Sequence, residues 1–293
     1  MSVIHLAGGP VSWGVDFADT PGNPPPDVVL DGIAGAGLCW TELGPVGYLP
    51  SEPGAARAAL RARGLGAVGT FVFDDLHRPA AHPAVLAAVD AALAAITATG
   101  GTRLVLIDRP SEPRARTAGR SDAAPRLGAA DWTALVDVVR RAAERAAAVG
   151  VRAVVHPHAG GYVEFEDEVD RLLDAIPAVE AGLCLDTGHA LYAGGDPAAQ
   201  LLRYGPRVEH LHLKDVDGAV RDRGLGFWDA IAANVFCPVG DGLLDLVAVR
   251  QVLDTIGYAG FATVEQDRVP GAAGDPAADV RRSVQRLRAA GIG

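Results

Sequence analysis

Lysine is almost absent from this chain. Lys214 is the only one, and the other 25 of the 26 basic residues are arginine. Asparagine and methionine are also rare, with two and one copies. A bias that removes lysine everywhere else makes the survivor informative, because a compact ammonium does what a planar, permanently protonated guanidinium cannot. Cysteine is scarce too: Cys39, Cys184 and Cys237 are odd in number, far apart and without a CxxC pair. That excludes a disulfide framework and a structural zinc site, and it makes a reducing cytoplasm the expected location. The formal charge of −10 comes without a basic cluster, so nucleic acid is not an expected partner. No stretch of about 18 uncharged apolar residues occurs, which argues against a membrane span. The opening Met1-Ser2-Val3-Ile4-His5-Leu6 has neither a basic region nor an apolar signal core, and Gly8-Gly9-Pro10 breaks it, so secretion is not expected. Also missing are a GxSxG elbow, a P-loop and a GxGxxG after the first apolar run.

What is present is alternation. With 293 residues, 49% of them hydrophobic, the chain can bury the core of one large α/β domain. Short apolar runs near residues 3–13, 38–43, 66–73, 102–108, 151–157, 181–186, 207–213 and 260–265 read as strands. The Ala/Leu/Arg stretches between and after them, near 25–36, 53–63, 83–98, 129–149, 165–175, 197–203, 245–256 and 276–290, read as helices. Gly64, Gly100, Gly150 and Gly257 sit where helices stop. Eight strand–helix units predict a closed (β/α)8 TIM barrel, a single domain across 1–293, rather than an open doubly wound sheet. Two segments depart from the repeat. Arg109 to Leu127 reads as a long loop, and Asp215 to Asp241 holds a short apolar stretch, Phe227 to Phe236, with helical character.

In such a barrel the chemistry sits at strand C-terminal ends. Here those ends read Thr41-Glu42-Leu43, His156-Pro157-His158, Asp186-Thr187-Gly188-His189, His210-Leu211-His212-Leu213-Lys214 and Glu265-Gln266-Asp267. Residues two apart share a strand face, so His156 pairs with His158, and His210, His212 and Lys214 line up. Two carboxylates and two imidazoles, His156, Asp186, His212 and Glu265, make a mixed O/N set suited to Mn²⁺, Co²⁺, Fe²⁺ or Zn²⁺. His5, His77 and His82 read as core histidines, while His210 fits a packing or a supporting role equally. Asp186 also suits a helix N-cap. Glu42 lies too far round the barrel to join the same ion, so it is expected to meet a substrate hydroxyl. Gly194-Gly195-Asp196-Pro197 reads as a turn into a helix.

These residues resemble a known family, the xylose-isomerase-like TIM barrels of the sugar phosphate isomerase/epimerase group, and within it the inosose dehydratase branch. The motifs that carry the resemblance are Thr41-Glu42-Leu43-Gly44-Pro45, Leu185-Asp186-Thr187-Gly188-His189, Tyr192 to Pro197, His210 to Asp215, Val239-Gly240-Asp241-Gly242 and Val264 to Asp267. The resemblance implies one divalent metal ion, Mn²⁺ or Co²⁺ first and Zn²⁺, Fe²⁺ or Mg²⁺ after them, held at Asp186, His212 and Glu265 with a fourth ligand from strand five. That fourth ligand is a glutamate in the broader superfamily, whereas this chain has His156 and His158 there. The implied reaction is dehydration of a keto-cyclitol: an α-proton is removed and a β-hydroxyl leaves. Catalytic candidates are Lys214, His158, Glu42 and Glu265; substrate contacts are expected at Trp13, Glu42, His158, His189 and Lys214. Like-charge repulsion near a cation is expected to lower the pKa of Lys214. The partner is then a small polyol or sugar, with a homo-oligomer, dimer or tetramer, as the assembly. Rival readings are a ketose isomerase or epimerase, an apurinic endonuclease and a non-catalytic sugar-binding protein.

Overall fold

The computed structural model describes residues 3–52, 54–272 and 274–293; Met1, Ser2 and Pro53, the first residue of the second expected helix, lie outside the described residues. The strands are β1 (Ile4–Ala7), β2 (Trp40–Thr41), β3 (Gly66–Ala67), β4 (Gly69–Asp74), β5 (Arg103–Asp108), β6 (Arg152–Val155), β7 (Gly182–Asp186), β8 (Val208–Leu213), β9 (Asp215–Val216), β10 (Phe236–Cys237) and β11 (Gly260–Val264). Seven of them form a parallel sheet in the order β1-β11-β8-β7-β6-β5-β4, and β2 pairs in parallel with β3. A bridge between Gly8 and Thr41, with backbone bonds from Glu42 N to Gly8 O (2.8 Å) and from Leu43 N to Gly69 O (2.9 Å), joins the two sheet edges. The result is a TIM barrel, with β3 and β4 as one strand interrupted at Val68. The barrel strands β1 to β8 and β11 all run the same way, so their C-terminal ends open at one mouth, while β9 and β10 form a separate antiparallel pair.

The helices are α1 (Pro26–Gly35), α2 (Ala55–Arg61), α3 (His82–Thr99), α4 (Glu112–Thr117), α5 (Ala129–Ala148), α6 (Glu166–Ala175), α7 (Thr187–Tyr192), α8 (Pro197–Tyr204), α9 (Gly218–Arg221), α10 (Phe227–Ala232), α11 (Leu246–Thr255) and α12 (Pro276–Ala289). The eight expected helices are present. The other four, α4, α7, α9 and α10, all lie in segments that follow strand C-terminal ends. Asp196 caps α8 by accepting from Ala198 N at 2.9 Å, with Pro197 at the first helical position, so Gly194 to Pro197 is a helix start. The four expected stop glycines adopt φ of 66–84°, the left-handed region.

Two expectations are corrected. The first strand ends at Ala7, and Pro10–Trp13 forms a 3-10 turn, since Pro10 has no N–H to give a ladder. The Arg109 to Leu127 segment is not an open loop. Its helix α4 carries Arg114, fully buried, whose guanidinium grips Glu168 at 2.8 and 2.9 Å, Glu164 at 3.2 Å and the Pro125 carbonyl at 2.9 Å.

Helix α3 with its preceding turn, Pro79–Thr99, is long and apolar enough to cross a membrane by length and composition. In the barrel its Val85, Leu86, Val89, Leu93 and Ile96 face inward, and the helix packs on β4, β5 and α5. Inside the barrel, Val105, Ile107, Val154 and Cys184 pack with Phe71 and Phe73. Strand alternation continues that inward face upward, from Val154 to His156 and from Cys184 to Asp186. The floor of the mouth is therefore apolar and its next layer is ionisable.

Candidate metal centre and active site

Strand β8 sets His210, His212 and Lys214 on the inward face, all buried. Glu42, just past β2, reaches them from across the barrel. Its Oε1 accepts from His210 Nε2 at 2.7 Å, His212 Nε2 at 2.9 Å and Thr263 Oγ1 at 2.8 Å. A closed barrel brings residues on opposite sides of the ring together across its axis, so Glu42 reaches His212, a residue of the expected ligand set, without itself belonging to that set. Burial alone would raise its carboxyl, but the two imidazoles hold it well below the usual range. His210 takes the supporting role.

Bound to Glu42 through Nε2, the His212 ring turns Nδ1 toward Glu265 Oε2 (3.1 Å) and Asp186 Oδ2 (3.8 Å). Asp186 divides its work. Oδ1 caps α7 by accepting from His189 N at 2.9 Å, while Oδ2 makes no hydrogen bond and faces His156 Nε2 at 3.4 Å. The sequence offered cap or ligand for this residue, and its two oxygens allow both. Ligand atoms of Asp186, His212 and Glu265 lie within 4.8 Å of one another, as do those of His156, Asp186 and His189. Buried, under-bonded acceptors converging this way fit a divalent cation. Without an ion, burial would lower the His212 imidazole, yet Cys184, Glu265 and Glu42 raise it well above its ordinary value.

Lys214 rests on a backbone prepared for it. Thr187 Oγ1 accepts from Lys214 N (2.9 Å) and donates to Lys214 O (2.7 Å). Gly188 leaves the lane in which the lysine stem lies, since a Cβ there would stand 2.6 Å from Lys214 Cγ. The ammonium meets Asp267 Oδ1 at 2.6 Å, Asp186 Oδ2 at 3.2 Å and Glu265 Oε2 at 3.3 Å. Burial pulls its pKa down, but these three carboxylates raise it well above the ordinary value, opposite to the expected direction. The expectation considered only neighbouring positive charge.

His158 and His189 stack with ring centroids 3.9 Å apart. Burial and the neighbouring positive groups lower both imidazoles well below their usual pKa, so both are neutral. His158 Nδ1 donates to Ala159 O at 2.9 Å, which leaves Nε2 free to accept. Both rings, with His156, His212, Lys214, Glu265 and Asp267, line a cavity of about 50 Å³ whose other walls are Val11, Phe71, Phe73, Ile107, Phe227, Trp228 and Ile231. Asp16, Phe71 and Phe73 separate it from a neighbouring cavity of about 290 Å³.

Trp13 is corrected as a substrate contact. Its ring packs over α1, where a Cβ on Gly32 would come within 2.5 Å of Cζ2, and it does not line the cavity. Sequence reasoning missed Asp16 and Asp267. Burial, and after it Asp267, push the Asp16 carboxyl up to about 7. Asp267 shares strand parity with Glu265, a signal that was available; Asp16 lies on an irregular loop that has none. The Val239 to Gly242 motif has a structural purpose: Asp215 accepts from Gly240 N, Gly242 N and Leu244 N at 2.8–3.0 Å.

Comparison with known proteins completes the picture. The xylose isomerase-like TIM barrel family matches residues 30–290. The chain belongs to that family. It is 31% identical to the rhizopine catabolism protein MocC of Rhizobium meliloti over 279 residues, 91% of this chain and 82% of that protein. It is 32% identical to the inosose dehydratase of Geobacillus kaustophilus over 281 residues, 90% of this chain and 87% of that one. Among solved structures, the IOLI protein with a bound zinc atom superposes with a TM-score of 0.72 at 15% identity, covering 98% of this chain and 96% of that one. This xylose isomerase-like barrel is an enzyme.

Proposed function

We propose that this chain is a metal-dependent hydro-lyase that dehydrates a keto-cyclitol of the inosose type. One observation carries the reading: the buried acceptors of Asp186, His212 and Glu265 lie within 4.8 Å of one another, and His212 and Glu265 line one cavity together with a neutral His158 and the Lys214 ammonium. The inosose dehydratase relative supports the substrate class, and the zinc-containing neighbour supports a metal in this kind of barrel. Histidine rather than glutamate at the strand-five position disfavours a pair of ligand glutamates acting as base and acid on opposite sides of one carbon.

Asp186, His212 and Glu265, with His156, would hold the divalent ion. When bound, it supplies positive charge where a carbonyl becomes an enolate. His158, neutral and with Nε2 free, accepts the α-proton. Lys214, kept as an ammonium by its carboxylate neighbours, donates to the departing β-hydroxyl. Glu42 positions His212 rather than touching substrate, and His189 with Asp267 frames the polar wall. The rings of Phe71, Phe73 and Phe227 give the C–H faces of a cyclitol an apolar surface. The reading extends to a single-domain, cytoplasmic homo-oligomer without a nucleic-acid or membrane partner.

Assaying keto-inositols and ketoses with and without added Mn²⁺ or Co²⁺ tests it. Dione absorbance should appear only with a keto-inositol and metal. Ketose isomerisation or epimerisation in its place would give the function to the rival reading.

A further inference from the structure

Carboxylates crowd the Lys214 ammonium. Four atoms surround Nζ: Asp267 Oδ1 at 2.6 Å, Asp186 Oδ2 at 3.2 Å, Glu265 Oε2 at 3.3 Å and His189 Nε2 at 3.3 Å. The three carboxylate oxygens match the three ammonium protons, while the neutral His189 ring, whose Nδ1 accepts from Ala159 N at 3.3 Å, turns its Nε2–H side to the same point. A mixed shell of three carboxylate oxygens and an imidazole nitrogen is what a borderline divalent cation takes. Two of those oxygens, Asp186 Oδ2 and Glu265 Oε2, also face His212 Nδ1. Both belong to the triad assigned above to the metal, so they face its place and Nζ alike, while the other two atoms around Nζ, from Asp267 and His189, belong to a further group, His158, His189 and Asp267, whose ligand atoms again lie within 4.8 Å of one another. Adjacent ligand groups joined by shared carboxylates are the arrangement of a two-metal centre, whose ions sit about 3.5–4 Å apart.

We propose that Lys214 places its ammonium in the second cation position of a paired metal centre, so that the chain holds one divalent transition-metal ion where its ligands are laid out for two. The local structure is built to keep the ammonium there. Gly188 clears the path of the stem, Thr187 fixes the lysine backbone at both N and O, and the face of Phe236 lies 5.1 Å from Nζ. A fixed ammonium provides the second positive charge without the exchange and dehydration of an ion. An arginine fork cannot fill a position enclosed by acceptors at this range.

The inference rests on the metal assignment of the proposed function, and metal counting separates the two. Protein saturated with Co²⁺ and freed of excess by gel filtration is analysed for ions per chain, with circular dichroism as the control for folding. Wild type should hold about one ion and Lys214→Ala about two. The double variants Lys214→Ala/His189→Ala and Lys214→Ala/Asp267→Ala should return to about one. Lys214→Met keeps the packed stem and removes only the charged end, so it decides the matter if Lys214→Ala does not fold. Wild type with no ion would overturn the metal assignment itself. Wild type with two ions, or folded Lys214→Met still holding one, would overturn the present inference alone.

Discussion

Glu42 Oε1 lies 2.9 Å from His212 Nε2, so a residue at the end of one strand sets the ring orientation of a proposed ligand on another strand across the barrel. Removing an outer partner of this kind commonly costs about 10- to 100-fold in metal affinity. Glu42→Ala should therefore weaken Mn²⁺ or Co²⁺ binding by roughly that factor in a calorimetric titration, with turnover largely recovered at saturating metal. Unchanged affinity with lost turnover would return Glu42 to direct contact with substrate.

The ligand set makes a second prediction. Asp186→Ala and Glu265→Ala each remove an anionic donor from a small site and should abolish stoichiometric metal in the purified protein. His156 Nε2 faces Asp186 Oδ2 at 3.4 Å, while the His158 ring lies against His189. His156→Ala should accordingly cost more metal affinity than His158→Ala. The reverse order in paired titrations would move the strand-five ligand to His158.

The fold was legible because its signals are local and periodic. Parity alone aligned His210, His212 and Lys214, and helical spacing with glycine stops located the eight outer helices. Apart from the first strand, which Pro10 cuts short locally, the misreadings share one cause: they depend on contacts far apart in sequence. Ring closure brings Glu42 to residues 168 and 170 positions away. Arg114 is buried by Glu164 and Glu168, about 50 positions on, so an Arg-rich segment that reads as solvated loop is anchored from within. The pKa of Lys214 depends on carboxylates from β7 and from the segment after β11. No periodicity within a single segment announces any of these.

Asp16 supplies a pH prediction. Burial pushes its carboxyl up to about 7, against an ordinary value of 3.8. The folded state thus binds its proton more tightly than the unfolded chain does. The corresponding stability is fully present below pH about 4 and is lost as pH rises through about 7. Asp16→Asn, neutral throughout, should show a Tm advantage over wild type that is larger at pH 8.5 than at pH 4.5. A Tm difference independent of pH across that range would mean that Asp16 is ionised in the folded protein at both ends of it.

Lys214→Arg tests whether the ammonium is chemically specific. The residue sits beneath a cavity of about 50 Å³, and its carboxylate neighbours keep it charged. Its task is therefore to place a compact donor at the leaving oxygen. Arginine preserves the charge and has an equally unbranched stem, but it spreads the charge over a planar fork larger than the position enclosed by Asp186, Glu265 and Asp267. The variant should fold and keep its metal, yet lose on the order of 10²-fold or more in turnover, the usual scale for a misplaced acid or base. A loss confined to KM would show that the ammonium only binds substrate. Near-full activity would reduce it to a positive charge beside the metal, and donation to the leaving group would then pass to another cavity-lining residue, with Asp16, whose carboxyl carries a proton up to about pH 7, first in line.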